Sequence, residues 1–95
     1  MKVLAVCGFG VGSSMILKMS LESVFKKHGI SAEVDNTDVT SAKSVDCDVI
    51  FTSAELRDEI QGSVSVPVYA VKKYMDKEEI DGIVTPFLQS KGEIK

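Results

Sequence analysis

The segment with the clearest chemical potential lies near the amino end of the chain. It spans residues 7–14 and consists of Cys7, Gly8, Phe9, Gly10, Val11, Gly12, Ser13 and Ser14. Glycines at alternate positions let the backbone curl without clashes from Cβ atoms, so successive N–H groups can point toward one bound anion. The hydroxyls of Ser13 and Ser14 can donate further hydrogen bonds to phosphate oxygens. This pattern predicts a phosphate-binding loop.

Cys7 is the candidate nucleophile of this loop. A helix is predicted to begin after the glycines, and the partial positive charge at a helix N-terminus stabilises a nearby thiolate, the nucleophilic form of cysteine. The simplest chemistry is attack of the Cys7 sulfur on a phosphoryl group, which gives a thiophosphate held by the loop. The alternative is a structural cysteine, because free cysteines are often buried. The glycines and serines that follow Cys7 favour the phosphate chemistry.

Two nucleotide-binding patterns match the loop incompletely. A nucleotide-hydrolysing P-loop needs a Lys directly after its last glycine, and residues 3–17 contain no Lys. The dinucleotide-binding pattern Gly-x-Gly-x-x-Gly fits at Gly8 and Gly10, but Ser13 stands in place of the third glycine. Asp35 lies roughly where a ribose-binding acid would be, so a non-catalytic nucleotide-binding module stays open as an alternative.

The loop also resembles that of small cysteine phosphatases and arsenate reductases. In those enzymes five residues separate the nucleophilic cysteine from an arginine, and the same spacing here leads from Cys7 to Ser13. Without a guanidinium group, the transferring phosphoryl group lacks its bidentate clamp. We expect this loss to weaken hydrolysis more than phosphate holding, which suits a phosphoryl carrier. A small phosphatase that uses Cys7 as nucleophile remains the main alternative.

The hydrophobic pattern predicts the elements that position the loop. A continuous apolar run from Val3 to Val6 predicts a strand buried on both faces. Apolar residues along one helical face predict a helix over residues 13–28, capped by Ser13 or Ser14 and followed by Gly29 as a stop. Further strands are predicted at residues 30–35, 49–51 and 66–71, and further helices at residues 38–43, 53–61 and 76–88.

This alternation of strands and helices predicts an α/β fold of Rossmann-like type. We expect a four-stranded parallel sheet of order 2-1-3-4 with helices on both faces, formed by residues 1–95 as one domain. Ligands of such sheets bind beyond the carboxyl ends of the strands, where the glycine loop is predicted to lie. Thr52 with Glu55, and Asp76 with Glu79, have the spacing of a capping box at the starts of the last two helices.

The composition excludes several classes of protein. The chain has 95 residues, of which 44% are hydrophobic, so it can bury a core without disulfides or metals. Its net charge of -3 argues against a nucleic-acid-binding surface. The chain carries no signal-peptide pattern and no apolar run near the ~20 residues of a membrane span. We therefore expect a soluble protein of the reducing cytoplasm.

The second cysteine is predicted to have a structural role. Cys47 stands between Asp46 and Asp48, whose carboxylates disfavour a thiolate. Two cysteines without a Cys-x-x-Cys pair favour neither a zinc site nor a redox site, so we expect no metal and no cofactor. His28 is predicted to cap the end of the first helix, where its charge matches the helix dipole.

The pattern Cys-Gly-x-Gly-x-Gly-Ser-Ser at residues 7–14, directly after the first strand, resembles a known family. It is similar to the enzyme IIB subunits of the bacterial phosphoenolpyruvate-dependent sugar phosphotransferase system, and most of all to the branch of the ascorbate and galactitol IIB proteins. Residues 15–19 look especially like ascorbate-type members. Chain length and element order agree, so the resemblance covers the whole chain as a single IIB phosphocarrier domain.

The resemblance implies a cytoplasmic phosphotransferase. Cys7 would accept a phosphoryl group from a phosphohistidine on the IIA partner and pass it to a sugar, with ascorbate as the candidate, bound in the membrane IIC transporter. The loop Gly8–Ser14 would hold the phosphate through backbone amides and the two hydroxyls. The implied partners are these two proteins, with no nucleic acid and no direct membrane insertion. Phe9 and Val11 either contact the partners or fold back onto the core.

Overall fold

The computed structural model describes residues 1–6, 11–44 and 46–92, and for residues 11–14 it describes the backbone alone. Within these ranges strands and helices alternate along the chain. The elements are β1 (Lys2–Val6), α1 (Val11–Lys27), β2 (Glu33–Thr37), α2 (Val39–Ala42), β3 (Val49–Thr52), α3 (Ala54–Gln61), β4 (Val68–Ala70) and α4 (Lys77–Ser90).

The strands form one parallel sheet of order β2-β1-β3-β4, which confirms the predicted fold and strand order. β1 lies between β2 and β3, with Val6 opposite Thr37 and Ala5 opposite Phe51. β3 in turn pairs with β4, with Thr52 opposite Ala70. Parallel strands end at the same side of a sheet. We call the side where the four strands end, at Val6, Thr37, Thr52 and Ala70, the carboxyl edge.

Helices cover both faces of the sheet, as predicted. Alternate residues of β1 point to opposite faces: Val3 and Ala5 join the core on the side of α1 and α4, whereas Leu4 and Val6 join the core on the side of α2 and α3. This two-sided burial explains the continuous apolar run of β1, because neither face of the strand meets water.

The connection from α1 to β2 differs from the sequence prediction. β2 begins at Glu33, whereas a strand was expected from Ile30. Ile30 is instead part of a helix C-terminal turn: its N–H donates to the Phe25 carbonyl at 3.0 Å, and the Gly29 N–H donates to Lys26 at 3.0 Å. Gly29 has a φ of 73°, a conformation that favours glycine, so its predicted role as the stop of α1 is confirmed.

Two predicted helix caps were wrong in register or in partner. The N-cap of α3 is Ser53, which accepts a hydrogen bond from the Leu56 N–H, whereas Thr52 belongs to β3. Asp76 caps α4 as predicted and accepts hydrogen bonds from the first-turn N–H groups. Glu79 does not complete a capping box: the Asp76 N–H donates to the Lys73 carbonyl at 3.0 Å, and the Glu79 carboxylate accepts a hydrogen bond from the Lys72 N–H at 2.6 Å. Sequence spacing alone does not reveal such a competing donor.

A polar cluster joins the end of α1 to α4. The Asp81 carboxylate pairs with the Lys27 ammonium at 2.8 Å and with His28 Nε2 at 2.5 Å, and it accepts a hydrogen bond from the Thr85 hydroxyl at 3.1 Å. His28 directly follows α1 as predicted, but its ring is held by this carboxylate. The hydrogen bond from Lys27, followed by the one from His28, lowers the pKa of Asp81 to about 2.

We expect Asp81→Asn to lower the free energy of unfolding by about 1 kcal/mol at neutral pH, a small value because the Lys27 side chain is 68% exposed and water screens the pair. The pKa of Asp81 in the folded protein lies below the ordinary 3.8, so its contribution is full above that value and is lost as the pH falls through about 2. Urea unfolding at neutral pH and at about pH 2 measures both effects. If the unfolding free energies of variant and parent differ by the same amount at the two pH values, this assignment is contradicted.

Candidate functional site

The predicted phosphate site begins where β1 reaches the carboxyl edge. Val6 is the last residue of this buried strand, and Cys7 follows it in the sequence. Cys7, Gly8, Phe9 and Gly10 lie outside the described residues, as do the side chains of Val11, Gly12, Ser13 and Ser14. The structure therefore describes the strand that ends before residues 7–10 and the helix that begins after them.

The start of α1 forms the second boundary of the loop. The helix begins at Val11, two residues before the predicted start, so Ser13 and Ser14 lie within its first turn and do not cap it. The first N–H groups of an α-helix have no acceptor within the helix, and they carry its partial positive charge. Residues 11–14 therefore offer backbone donors for an anion, in addition to the predicted serine hydroxyls.

Thr52 provides the closest described support for the loop. Its side chain is fully buried, and its hydroxyl donates a hydrogen bond to the Val6 carbonyl at 2.9 Å. The Thr52 carbonyl accepts a hydrogen bond from the Val71 N–H at 2.7 Å, which extends the pairing of β3 with β4 by one residue. Its position after the third strand predicts that Thr52 faces the same edge as Cys7 and is available to shape the site, but helix capping was the explanation preferred from the sequence. A polar, β-branched residue that ends an apolar strand was the available signal for a different role.

The end of β4 is held at the same edge. The Lys72 N–H donates to the Glu79 carboxylate of α4 at 2.6 Å, next to the Val71–Thr52 hydrogen bond. A continuous set of contacts thus leads from the Val6 carbonyl across β3 and β4 to the first turns of α4. The carboxyl edge is therefore tied together by side chains as well as by the strand ladder.

Exposed apolar side chains lie on α1 beyond its first turn. Met15, Ile16 and Met19 are 45%, 42% and 62% exposed, and Met75, just before α4, is 78% exposed. A shallow groove of about 300 Å³ separates the two segments. Its lining consists of Ile16, Met19, Ser20, Ser23, Met75 and Lys77. We call the exposed side chains of Met15, Ile16, Met19 and Met75, together with this groove, the methionine surface. Exposed apolar surfaces next to a site often bind protein partners.

Cys47 lies away from this edge. It precedes β3 and is half-buried, at the amino ends of the strands. Burial raises the pKa of its thiol, and the neighbouring Asp48 carboxylate raises it further. The predicted effect of the flanking acids is thus present, but burial is the larger cause. Cys47 stays a protonated thiol at neutral pH.

Among the residues that the structure describes, no group of three His, Cys, Asp or Glu side chains is arranged to hold a metal ion. None of the described helices combines the length and the apolar character needed to cross a membrane.

Comparison with known proteins gives concordant matches. The profile of the family described as PTS system, Lactose/Cellobiose specific IIB subunit, matches residues 2–86. A Mycoplasma pneumoniae protein named ascorbate-specific PTS system EIIB component is 30% identical over 80 residues, which cover 82% of this chain and 84% of the relative. A protein of the same name from Salmonella choleraesuis is 33% identical over 76 residues, covering 78% of this chain and 75% of the relative.

A solved structure shares the fold. The lactose-specific IIB component domain of the phosphotransferase system from Streptococcus pneumoniae superposes with a TM-score of 0.65. The match covers 90% of this chain and 95% of that chain at 13% sequence identity. At this identity the likeness establishes the fold, and it agrees with the observed strand order.

Proposed function

This chain belongs to the family of lactose/cellobiose-type IIB subunits of the sugar phosphotransferase system, and from that membership we infer that Cys7 is its phosphorylation site. The family resemblance stated from the sequence is confirmed, and the chain is a phosphoryl-transfer component of this system. The glycine loop of residues 8–14 is proposed to hold the phosphoryl group while it rests on the Cys7 sulfur.

The observation that carries the proposal is the placement of residues 7–10 between a buried strand end and a helix start. β1 ends at Val6 on the carboxyl edge, and α1 begins at Val11. A dianionic phosphoryl group between these two points meets the free N–H groups and the positive end of α1. The same field favours the Cys7 thiolate before phosphorylation.

Two transfer steps follow from this arrangement. In the first, the Cys7 thiolate attacks the phosphorus of a phosphohistidine on the IIA protein; the P–S bond forms, the P–N bond breaks, and the histidine takes up a proton as it leaves as neutral imidazole. In the second, a sugar hydroxyl in the IIC transporter attacks the phosphorus; the P–O bond forms, the P–S bond breaks, and the hydroxyl proton is released. The loop stabilises the negative charge of the phosphoryl group in both steps.

The residues favour a carrier over a phosphatase. Arg57 is the one arginine of the sequence, and it lies exposed on α3, outside the glycine loop. Phosphatase-type hydrolysis relies on a guanidinium clamp on the transferring phosphoryl group. Since the loop lacks that clamp, we expect slow hydrolysis of the phosphoryl group on Cys7, so that the group persists until the acceptor binds.

The partners and the sugar are part of the same proposal. We assign a IIA phosphohistidine protein as donor and a IIC transporter as acceptor. The relatives named ascorbate-specific EIIB support ascorbate as the sugar. We propose that this phosphoryl transfer takes place in the cytoplasm and that residues 1–95 form one IIB domain.

The proposal is tested by phosphorylation of the purified chain. The protein is incubated with phosphoenolpyruvate, the general proteins of the system, and a IIA protein of either the ascorbate or the lactose type. Intact-mass measurement should show one added phosphoryl group, formed faster with the ascorbate-type donor. The chain should not turn over a generic aryl phosphate. Steady aryl phosphate turnover without labelling by either donor would favour the phosphatase alternative.

A further inference from the structure

The Thr52 hydroxyl occupies a position one residue away from the proposed nucleophile. Thr52 is 0% exposed, and its hydroxyl lies 2.9 Å from the carbonyl oxygen of Val6, the residue that precedes Cys7. A hydroxyl has one proton to donate, so this hydrogen bond uses its whole donor capacity. The Thr52 hydroxyl therefore has no second proton to donate to another acceptor while it bonds the Val6 carbonyl.

The geometry of the peptide bond passes this restraint to the next residue. A peptide unit is planar, and in its trans form the N–H points away from the carbonyl oxygen of the same unit. Holding the Val6 carbonyl therefore restrains the planar peptide unit that joins Val6 to the next residue. The hydroxyl also offsets part of the negative charge on that carbonyl oxygen.

We propose that Thr52 is a positioning residue for phosphoryl transfer, acting through the Val6–Cys7 peptide unit. This inference rests on the proposed role of Cys7. Thr52 touches neither the phosphoryl group nor the sulfur in this proposal. It holds the carbonyl of the peptide unit that directly precedes the proposed nucleophile.

Thr52 is itself rigidly held, as a positioning residue must be. Its carbonyl accepts the Val71 N–H at 2.7 Å, and it pairs with Ala70 across the sheet. A threonine side chain is stiff at χ1 because it branches at Cβ, so its hydroxyl direction is well defined. Loss of the hydroxyl would leave the buried Val6 carbonyl without this donor and free to reorient.

The test compares Thr52→Val, which keeps the shape and removes the hydroxyl, with Thr52→Ser, which keeps the hydroxyl. Both are made together with Cys47→Ser, so that Cys7 is the remaining thiol. We expect Thr52→Val to slow phosphoryl acceptance from IIA by about tenfold to a hundredfold, and Thr52→Ser to stay within about threefold of the parent. Rates are taken where circular dichroism shows each variant folded. Thr52→Ala replaces Thr52→Val if the latter does not fold.

A second measurement separates positioning from stability alone. The rate of Cys7 alkylation by iodoacetamide is followed against pH in the same variants. Thr52→Val should shift the midpoint of this profile to higher pH, because the reoriented peptide stabilises the thiolate less well. Thr52→Ser should leave it unchanged. A merely structural Thr52 would change the urea midpoint and leave this profile in place.

The outcomes distinguish this inference from the proposed function. If Thr52→Val accepts phosphate at the parent rate and keeps the parent alkylation profile, the positioning role is wrong, while labelling of Cys7 stands. If Thr52→Ser is slowed as much as Thr52→Val, the hydroxyl is not the active feature and the proposal fails. If the parent is labelled elsewhere than Cys7, the proposed function fails first.

Discussion

Replacement of Cys7 by Ser is expected to abolish phosphoryl acceptance. A thiolate is available near neutral pH beside a helix N-terminus, whereas a serine hydroxyl stays protonated there, and the loop provides no general base that the sequence identifies. We expect the rate of labelling by phosphorylated IIA to fall by more than about a thousandfold, below detection by intact mass. The side chains differ by one atom, so the fold should be retained.

Cys47→Ser is the matched control for this experiment. The raised pKa of the Cys47 thiol keeps it protonated, and the residue lies at the opposite end of the strands from the carboxyl edge. The control should therefore carry one phosphoryl group at the parent rate. Urea midpoints of both variants exclude unfolding as the cause of a lost signal. A phosphoryl group retained on Cys7→Ser and lost from Cys47→Ser would refute the assignment.

Phe51→Ala is expected to cause the largest loss of stability among the variants considered. The Phe51 side chain is fully buried at the centre of the sheet. Its ring stacks on Tyr69 with centroids 5.6 Å apart, and it meets Phe25 of α1 edge-on at 6.4 Å. Removing the ring deletes apolar burial and two aromatic contacts and leaves a cavity, which together cost about 3–5 kcal/mol.

Such a loss is a large part of the roughly 5–15 kcal/mol that stabilises a small domain. The urea midpoint should fall steeply, and the site should loosen with it, because Phe51 directly precedes Thr52 in β3. Phe51→Leu is the conservative control, with an expected cost of about 1–1.5 kcal/mol. A loss of unfolding free energy below about 1 kcal/mol for Phe51→Ala would contradict this prediction. It would mean that the neighbouring side chains move to fill the space left by the ring.

Local patterns were sufficient for the type and order of the elements. The apolar run at Val3–Val6 became β1, and Asp76 caps the helix that its position indicated. Each of these signals lies within a few residues of the structure that it specifies, because strand burial and capping depend on near neighbours. The alternation also indicated a parallel sheet, and the expected strand order 2-1-3-4 is the one observed.

Boundaries and partners at the candidate site were less predictable. Ser13 and Ser14 have the side chains of a helix cap, but α1 begins before them, at Val11. Glu79 has the spacing of a capping box, but its carboxylate accepts the Lys72 N–H. In both cases more than one arrangement satisfies the local preference, and packing of the surrounding elements selects among them.

The proposed nucleophile, the glycine pattern and the alternation of strands with helices can all be predicted from neighbouring residues, because their chemistry and backbone preferences are local. The contact between Thr52 and Val6 cannot, because it joins residues 46 positions apart. It exists because β1 and β3 lie side by side in a register that brings both strand ends to one edge. The strand pattern predicts that Thr52 lies at the same edge as Cys7, but it does not specify which atom the hydroxyl contacts. The same threonine therefore resembles a helix cap in the sequence, and in the folded chain its buried hydroxyl holds the carbonyl before Cys7.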